Sequence, residues 1–214
     1  MGTSATFEPH PVRGRFNAGF FTAFDHPIDR QSRDRKRKIF SGLPPEVVEV
    51  GPGVGANLRY MPPGCRVIAV EPNPYMHGGL HKRAARRGID LEIHSVPGDA
   101  MDLDDQSVDA VISSLLLCTV ADPERVVGEI RRILRPGGRY AFLEHVAAPE
   151  GTPLRRIQHA VRRPWAWVFE GCSCERDLAA VIRAAGFASV EIDQYCLRSP
   201  FLPANTQIAG RAFA

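Results

Sequence analysis

The sequence predicts an α/β fold: a doubly wound, mostly parallel seven-stranded sheet ending in a C-terminal antiparallel hairpin. Three observations predict it. Val47, Val48 and Val50 form a β-branched run that breaks at once into Gly51-Pro52-Gly53-Val54-Gly55, the pattern of a buried parallel strand entering a tight turn. Further along, short apolar runs alternate with helical patterns, as in successive βα units. The last two strand-like runs, residues 189–195 and 207–213, have no helix between them, so they pair antiparallel at the sheet edge.

The glycine turn organises the rest. Glycine serves where φ must be positive or where a ligand lies against bare backbone, and the N-terminus of the following helix offers unpaired N–H groups. Glu49, just ahead of the turn, argues against a diphosphate, because a carboxylate repels phosphate but helps to hold a cationic amino group. The second strand, residues 66–70, ends in Glu71, about twenty residues past the first glycine, where a βαβ unit brings a carboxylate to both hydroxyls of a ribose. The competing reading is a glycine turn in an ordinary α/β protein with Glu71 a solvated strand-end acid. Glycine spacing, strand context and acid offset together favour a nucleoside carrying an ammonium group.

Length and composition narrow the class. The 214 residues fit one domain with decorations around a single core. A net charge of +3 is too small to imply nucleic acid. Five cysteines make an odd count, and residues 1–10 show no basic start followed by an apolar stretch, which points to a reducing cytoplasm. The longest apolar run, residues 110–121, contains Ser113, Ser114 and Thr119 and falls well short of the ~20 residues that span a bilayer.

In chain order, residues 1–15 lack apolar periodicity and read as a loose end. Phe16, Phe20, Phe21 and Phe24 follow at helical spacing, and Pro27 interrupts that short aromatic helix. Residues 28–40 resume as a helix carrying Arg30, Arg33, Arg35, Lys36, Arg37 and Lys38. It is read as a solvated face because Asp29 and Asp34 dilute its field, the alternative being a face for an anionic surface or substrate. Residues 1–40 thus form an arm and cap helices ahead of a main domain, residues 41–214. Residues 56–61 are a short helix stopped by Pro62-Pro63, and Cys65 is a small core residue. Residues 74–87 are a helix capped by Gly88, its basic side chains on a wet face.

Residues 91–96 form the third strand, closed by Gly98-Asp99-Ala100. An acid at that tip can accept an adenine amine while the next backbone N–H meets a ring nitrogen; a plain turn is the alternative. Residues 108–117 are the fourth strand, and Ser113, Ser114 and Leu115 near its carboxyl end are candidates for the ligand wall. Cys118 is read as packing. A helix over residues 123–134 ends at Arg135-Pro136-Gly137-Gly138, a turn that launches strand 139–146, which finishes in Glu144-His145. Residues 149–174 break the alternation with an amphipathic pattern of Leu154, Ile157, Val161, Trp165 and Val168, an insertion placed to roof the crevice. Cys172-Ser173-Cys174 lacks a second Cys or His pair at ligand spacing, so no metal site is expected. Residues 176–185 are the last helix.

With these residues in place, the chain resembles the class I S-adenosylmethionine-dependent methyltransferases over roughly residues 40–213, through Glu49-Val50-Gly51-Pro52-Gly53-Val54-Gly55, Glu71, Gly98-Asp99-Ala100 and Leu134-Arg135-Pro136-Gly137-Gly138. Within them it is most similar to the small thiol methyltransferases of the methyltransferase-like group, through Gly55-Ala56-Asn57, Pro72-Asn73-Pro74, Leu117-Cys118, Glu144-His145-Val146-Ala147-Ala148 and Phe169-Glu170-Gly171-Cys172. The resemblance implies a Rossmann-like methyltransferase fold and S-adenosyl-L-methionine as cofactor. Its site would comprise Glu49, Gly51, Gly53, Gly55, Asn57, Glu71, Pro72, Asp99, Ala100, Ser114 and Leu115. His145 is the candidate base or acceptor-orienting group, with Glu144 or His159 as substitutes, and no metal takes part. The implied acceptor is a small molecule, a thiol in preference to a hydroxyl. O- or N-methylation in secondary-metabolite tailoring and a non-catalytic cofactor-binding protein are the alternatives. A nicotinamide dehydrogenase also fits Gly51-x-Gly53-x-x-Ala56, but Gly55, Glu49 and the terminal hairpin speak against it. No aromatic and basic platform for nucleic acid is visible. The resembling proteins carry an N-terminal hydrophobic anchor that is not found here, so no stable membrane insertion is expected; oligomeric state stays open. Pro52 stands where a small residue or cysteine is common and stiffens the turn.

Overall fold

Five parallel strands come first: β1 (Glu46–Val50), β2 (Arg66–Val70), β3 (Asp90–His94), β4 (Val108–Ser114) and β5 (Leu134–His145). β6 (Ser189–Cys196) and β7 (Thr206–Phe213) complete the sheet in the computed structural model, which describes residues 10–214. The strand order is β3-β2-β1-β4-β5-β7-β6. β7 pairs antiparallel with both β5 and β6, so the C-terminal hairpin is inserted beside β5 with β6 at the edge. The chain reverses its direction of travel between β1 and β4, and that reversal opens a crevice at their carboxyl ends.

Burial explains why the strands read as near-continuous apolar runs. Val48, Val50, Val111, Tyr140 and Phe142 pack on one face against α4 (Pro123–Ile133) and α6 (Leu178–Ala184) through Val126, Val127, Ile130, Leu178 and Ile182. Val47, Val67, Ala69, Ile112 and Leu143 pack on the other face, where α3 (Pro74–Arg87) contributes Leu80 and Ala84 and the end of α2 (Asp25–Ile39) contributes Ile39. With both faces covered, alternate residues are equally apolar.

Several boundaries move for physical reasons. Of the expected loose end, residues 1–9 lie outside the described residues, but α1 (Pro11–Ala23) already begins at Pro11, since a first-turn proline needs no N–H partner. Pro27 does not interrupt the N-terminal helices. The break falls at Phe24, and Pro27 sits in the first turn of α2, where a missing N–H has no consequence. β4 stops at Ser114 because Leu115 adopts φ 59°, a left-handed conformation that ends a strand. The third strand closes at His94, two residues short of the expected end. Arg135-Pro136-Gly137-Gly138 is an irregularity inside β5 rather than a turn before it: the β4 register passes from Val108↔Leu134 to Ala110↔Arg139. Residues 56–61 form a tight 3-10 turn, Ala56–Tyr60, rather than an α-helix.

Candidate functional site

A cavity of about 320 Å³ lies at the carboxyl ends of the central strands. The glycine turn forms one wall, and its three glycines do different work. Gly51 (φ 66°) and Gly55 (φ 83°) are left-handed and crowded: an added Cβ would lie 2.5 Å from Leu116 Cδ1 and 2.9 Å from Leu80 Cδ1 respectively. Gly53 (φ 56°) has nothing within 4 Å of such a Cβ, and it lines the cavity with Gly51, whereas Gly55 does not. The turn therefore packs with its outer glycines and leaves bare backbone at its middle one.

Glu71, at the end of β2, is fixed by that backbone. The Gly53 N–H donates to one carboxylate oxygen and the Asn73 N–H to the other, each at 2.9 Å. Pro72, Asn57, Ser114 and Leu115 join Glu71 in the lining. Ser114 Oγ is buried without a hydrogen-bond partner, an orphaned group of the kind that a ligand satisfies. Asp99 and Ala100 lie outside the lining. The chain after β3 turns away there, with the Ala100 N–H on the Pro97 carbonyl and Asp99 3.8 Å from Arg125 at the start of α4.

Glu49 also lies behind the wall. It is fully buried, and one of its oxygens accepts from Asn57 Nδ2 at 2.9 Å while the other has no partner. Asn57 Oδ1 in turn accepts from Lys36 Nζ at 2.8 Å. Glu49 thus meets the cavity through Asn57, and Lys36, expected on a solvated face, is buried and lines the cavity. Helical spacing held the signal: Asp25, Asp29, Ser32, Lys36 and Ile39 are the buried face of α2, a polar stripe that an apolar-periodicity reading passes over. Arg83 likewise leaves its expected wet face to pair with Asp25 at 3.0 Å.

Burial pushes the Glu49 carboxyl up to about 7, against the opposing pull of Asn57 and Lys36. Burial likewise pushes Glu144 up to about 7, against the N–H groups of Leu117 and Leu116. Because both folded values exceed the unfolded value near 4.5, the folded state holds protons that the unfolded chain has already released, and stability falls as pH rises through that window. The urea midpoint is expected to be lower at about pH 7.5 than at about pH 5, and Glu49→Gln or Glu144→Gln should flatten the slope. A midpoint that rises over this range in the wild type contradicts the assignment.

The far end of the cavity is built by three segments. His145 is the last residue of β5, Cys118 lies in the turn after β4, and Cys172 follows α5 (Pro153–Val168). His145 Nδ1 is 3.7 Å from Cys118 Sγ and 3.8 Å from Cys172 Sγ, and the two sulfurs are 3.5 Å apart. All three line the cavity, as do Trp165 and Phe169 of the inserted segment. Hydrogen bonds from Cys118 and Cys174 hold the Cys172 thiol well below the usual range, while the same contact raises Cys118. The expectation of no metal rested on local spacing around Cys172-Ser173-Cys174; the fold supplies Cys118 and His145 from elsewhere in the chain. The substitute bases both lie outside the cavity lining. Glu144 is fully buried, held by Ser113 Oγ at 3.2 Å and the Leu116 N–H at 3.1 Å, and His159 is 66% exposed on Glu175.

Comparison with known proteins agrees with this layout. A family described as methyltransferase domain matches residues 48–142. The chain is 34% identical to the human thiol S-methyltransferase TMT1B over 195 residues, 86% of this chain and 80% of that one. It is 35% identical to the human thiol S-methyltransferase TMT1A over 184 residues, 81% of this chain and 75% of that one. The fold superposes on a SAM-dependent methyltransferase from Thermotoga maritima, a possible histamine N-methyltransferase, with a TM-score of 0.66 at 20% identity, covering 94% of this chain and 98% of the other. Glycine turn, sheet order and kinship together make this chain a member of the S-adenosylmethionine-dependent methyltransferase family, among the relatives of the thiol S-methyltransferases.

Proposed function

We propose that this enzyme methylates the sulfur of a small thiol in the cavity between Gly53 and His145. S-adenosylmethionine, when bound, would supply an activated methyl group: its methyl–sulfonium bond would break as the acceptor sulfur takes the methyl and gives up its proton, leaving a thioether and S-adenosylhomocysteine. The cofactor end fits a nucleoside. Gly53 leaves an empty cradle, Glu71 is aimed and held by two N–H groups, and Ser114 offers an unsatisfied hydroxyl. In this reading Gly51, Gly53, Asn57, Glu71, Pro72, Ser114 and Leu115 border the cofactor, while Glu49 and Gly55 support the wall from behind. Residues 149–174 act as a roof over the acceptor, closing it from water with Trp165 and Phe169.

The observation that carries the thiol is the character of the acceptor end. His145 is the one imidazole in the lining among the described residues, and its neighbouring carboxylate Glu144 is turned into the core. An ordinary thiol, with a pKa of about 8.5, is a few per cent thiolate at neutral pH and needs little base, whereas a hydroxyl needs much more. His145 then orients the acceptor or takes its proton. His145→Ala is expected to lower turnover by about 10²-fold, the low end for a general base, with cofactor affinity unchanged. A screen of thiols, phenols and amines beside calorimetric titration of the cofactor tests both halves. Turnover of phenols or amines in preference to thiols overturns the acceptor, and unchanged turnover in the variant removes His145.

No helix among the described residues is long and apolar enough to cross a membrane.

A further inference from the structure

We propose that Cys118, His145 and Cys172 are the three protein ligands of a site for a thiophilic divalent cation of the zinc type, with the fourth position open to the cavity for the acceptor sulfur. The identity of that fourth ligand rests on the thiol-methylation reading; the cation site itself does not.

The geometry carries the inference. Zinc binds thiolate sulfur at about 2.3 Å and imidazole nitrogen at about 2.0 Å, tetrahedrally. Those bond lengths place two sulfurs about 3.8 Å apart and a sulfur and a nitrogen about 3.5 Å apart along the tetrahedron's edges. The observed separations are 3.5 Å between the sulfurs and 3.7 and 3.8 Å from each sulfur to Nδ1. The three atoms therefore already outline one face of such a tetrahedron.

The backbone holds that face in place. The Ser173 N–H donates to the Cys118 carbonyl at 2.7 Å, joining the two cysteine segments. Arg176 Nη1 donates to the carbonyls of Leu117 and Val120 at 2.7 and 2.6 Å, pinning the turn that carries Cys118. Trp165 Nε1 donates to Cys172 Sγ at 3.3 Å, the outer contact that orients a metal-binding ligand. Cys174 is buried but outside the cavity lining and outside the ligand cluster, so the C-x-C pair gives one ligand and leaves three in all. Three ligands and one open position are the pattern of catalytic rather than structural zinc.

The chemistry suits the enzyme. A thiol entering the fourth position releases its proton to solvent and stays on the cation as thiolate; one S–H bond breaks, one cation–sulfur bond forms, and nothing is oxidised or reduced. The acceptor is then ionised well below its ordinary pKa, and His145 acts as a ligand that positions it.

Cobalt titration of the reduced, chelator-stripped protein tests this, because Co²⁺ takes the same site and reports thiolate ligands by charge-transfer absorption. One equivalent is expected to give thiolate-to-cobalt bands with tetrahedral ligand-field intensity, displaced by Zn²⁺ and strengthened when a small thiol is added. Cys118→Ser and Cys172→Ser should each lose the bands, and Cys174→Ser and Cys196→Ser should keep them. Calorimetry with S-adenosylmethionine on every variant reports that the fold is intact, and His145→Asn substitutes for a serine variant that does not fold. Absence of the bands in a wild type that binds the cofactor, or bands that survive both serine substitutions, overturns the site. Bands that ignore added thiol overturn the open position. Bands with thiol coordination but no thiol methylation leave the cation site standing and remove the acceptor reading instead.

Discussion

Glu71→Ala is expected to weaken S-adenosylmethionine binding by about 100-fold or more while the protein stays folded. A hydrogen bond to a charged group contributes about 1.5–3 kcal/mol, and a carboxylate facing a ribose makes two. About 3 kcal/mol, at 1.4 kcal/mol per decade, sets the lower bound of the loss. The side chain also organises its own surroundings. It ties the Gly53 N–H to the Asn73 N–H across the mouth of the cavity, and without it the bare backbone at Gly53 has no anchor. Burial raises the Glu71 carboxyl above its ordinary value, while the N–H groups of Asn73 and Gly53 oppose that shift by favouring its charged form. Glu71→Gln keeps the shape but turns an NH₂ towards one of the two backbone N–H groups, and its loss should fall between wild type and alanine. Titration calorimetry with S-adenosylmethionine and S-adenosylhomocysteine measures all three. An alanine variant that binds either nucleoside as tightly as wild type would remove Glu71 from the cofactor site.

The cavity wall formed by the glycine turn and Glu71 was legible in the sequence because its signals are local. Val47 to Gly55 form one strand and its turn, and Glu71 directly follows the next strand, so spacing alone brings them together. Asp99 lies outside the cavity lining, and a strand-tip rule does not register the bend that brings it within 3.8 Å of Arg125. The far end of the cavity is assembled from the turn after β4, the end of β5 and the segment after α5, and no spacing in the chain announces that Cys118, His145 and Cys172 meet. Leu115 shows a subtler limit. Its left-handed backbone ends β4 and turns the chain into the site, in an apolar run that reads as uninterrupted strand. The second cap helix, α2, hid its role because its buried face is largely charged, and a charge run reads as solvated until its partners are known.

Those partners predict the largest effect on stability. Asp25→Ala is expected to cost about 2–3 kcal/mol of unfolding free energy. Asp25 bonds the Arg59 guanidinium and lies 3.0 Å from Arg83, while Asp29 lies 3.1 Å from Arg59, 3.0 Å from Arg33, and accepts from the Tyr60 hydroxyl. These contacts fasten α2 to the Ala56–Tyr60 turn and to α3, which flank the glycine wall of the cavity. Removing one member of a buried ion pair costs about 3–5 kcal/mol. Here Arg59 and Arg83 keep 16% and 19% of their side chains exposed, and water reaching them reduces the cost. The pH dependence has its own sign. Burial pushes Asp29 up, but the hydrogen bonds from Tyr60 and Arg33 and the charge of Arg59 outweigh it, so its folded pKa lies below the ordinary 3.8. Its contribution is present above that value and is lost as pH falls through the folded one, the acid side of the window in which Glu49 and Glu144 act. Urea midpoints of wild type, Asp25→Ala, Asp29→Asn and the control Asp34→Ala, whose carboxylate is 98% exposed, measure this at about pH 7 and about pH 3. The control should match wild type at both, and the Asp29→Asn deficit should shrink at the lower pH. Because α2 also carries Lys36 to Asn57, the Asp25 variant should lose cofactor affinity along with stability. If it is as stable as wild type, Ile39 and Phe40 hold the cap by packing alone, and the charged face is not what orders the wall.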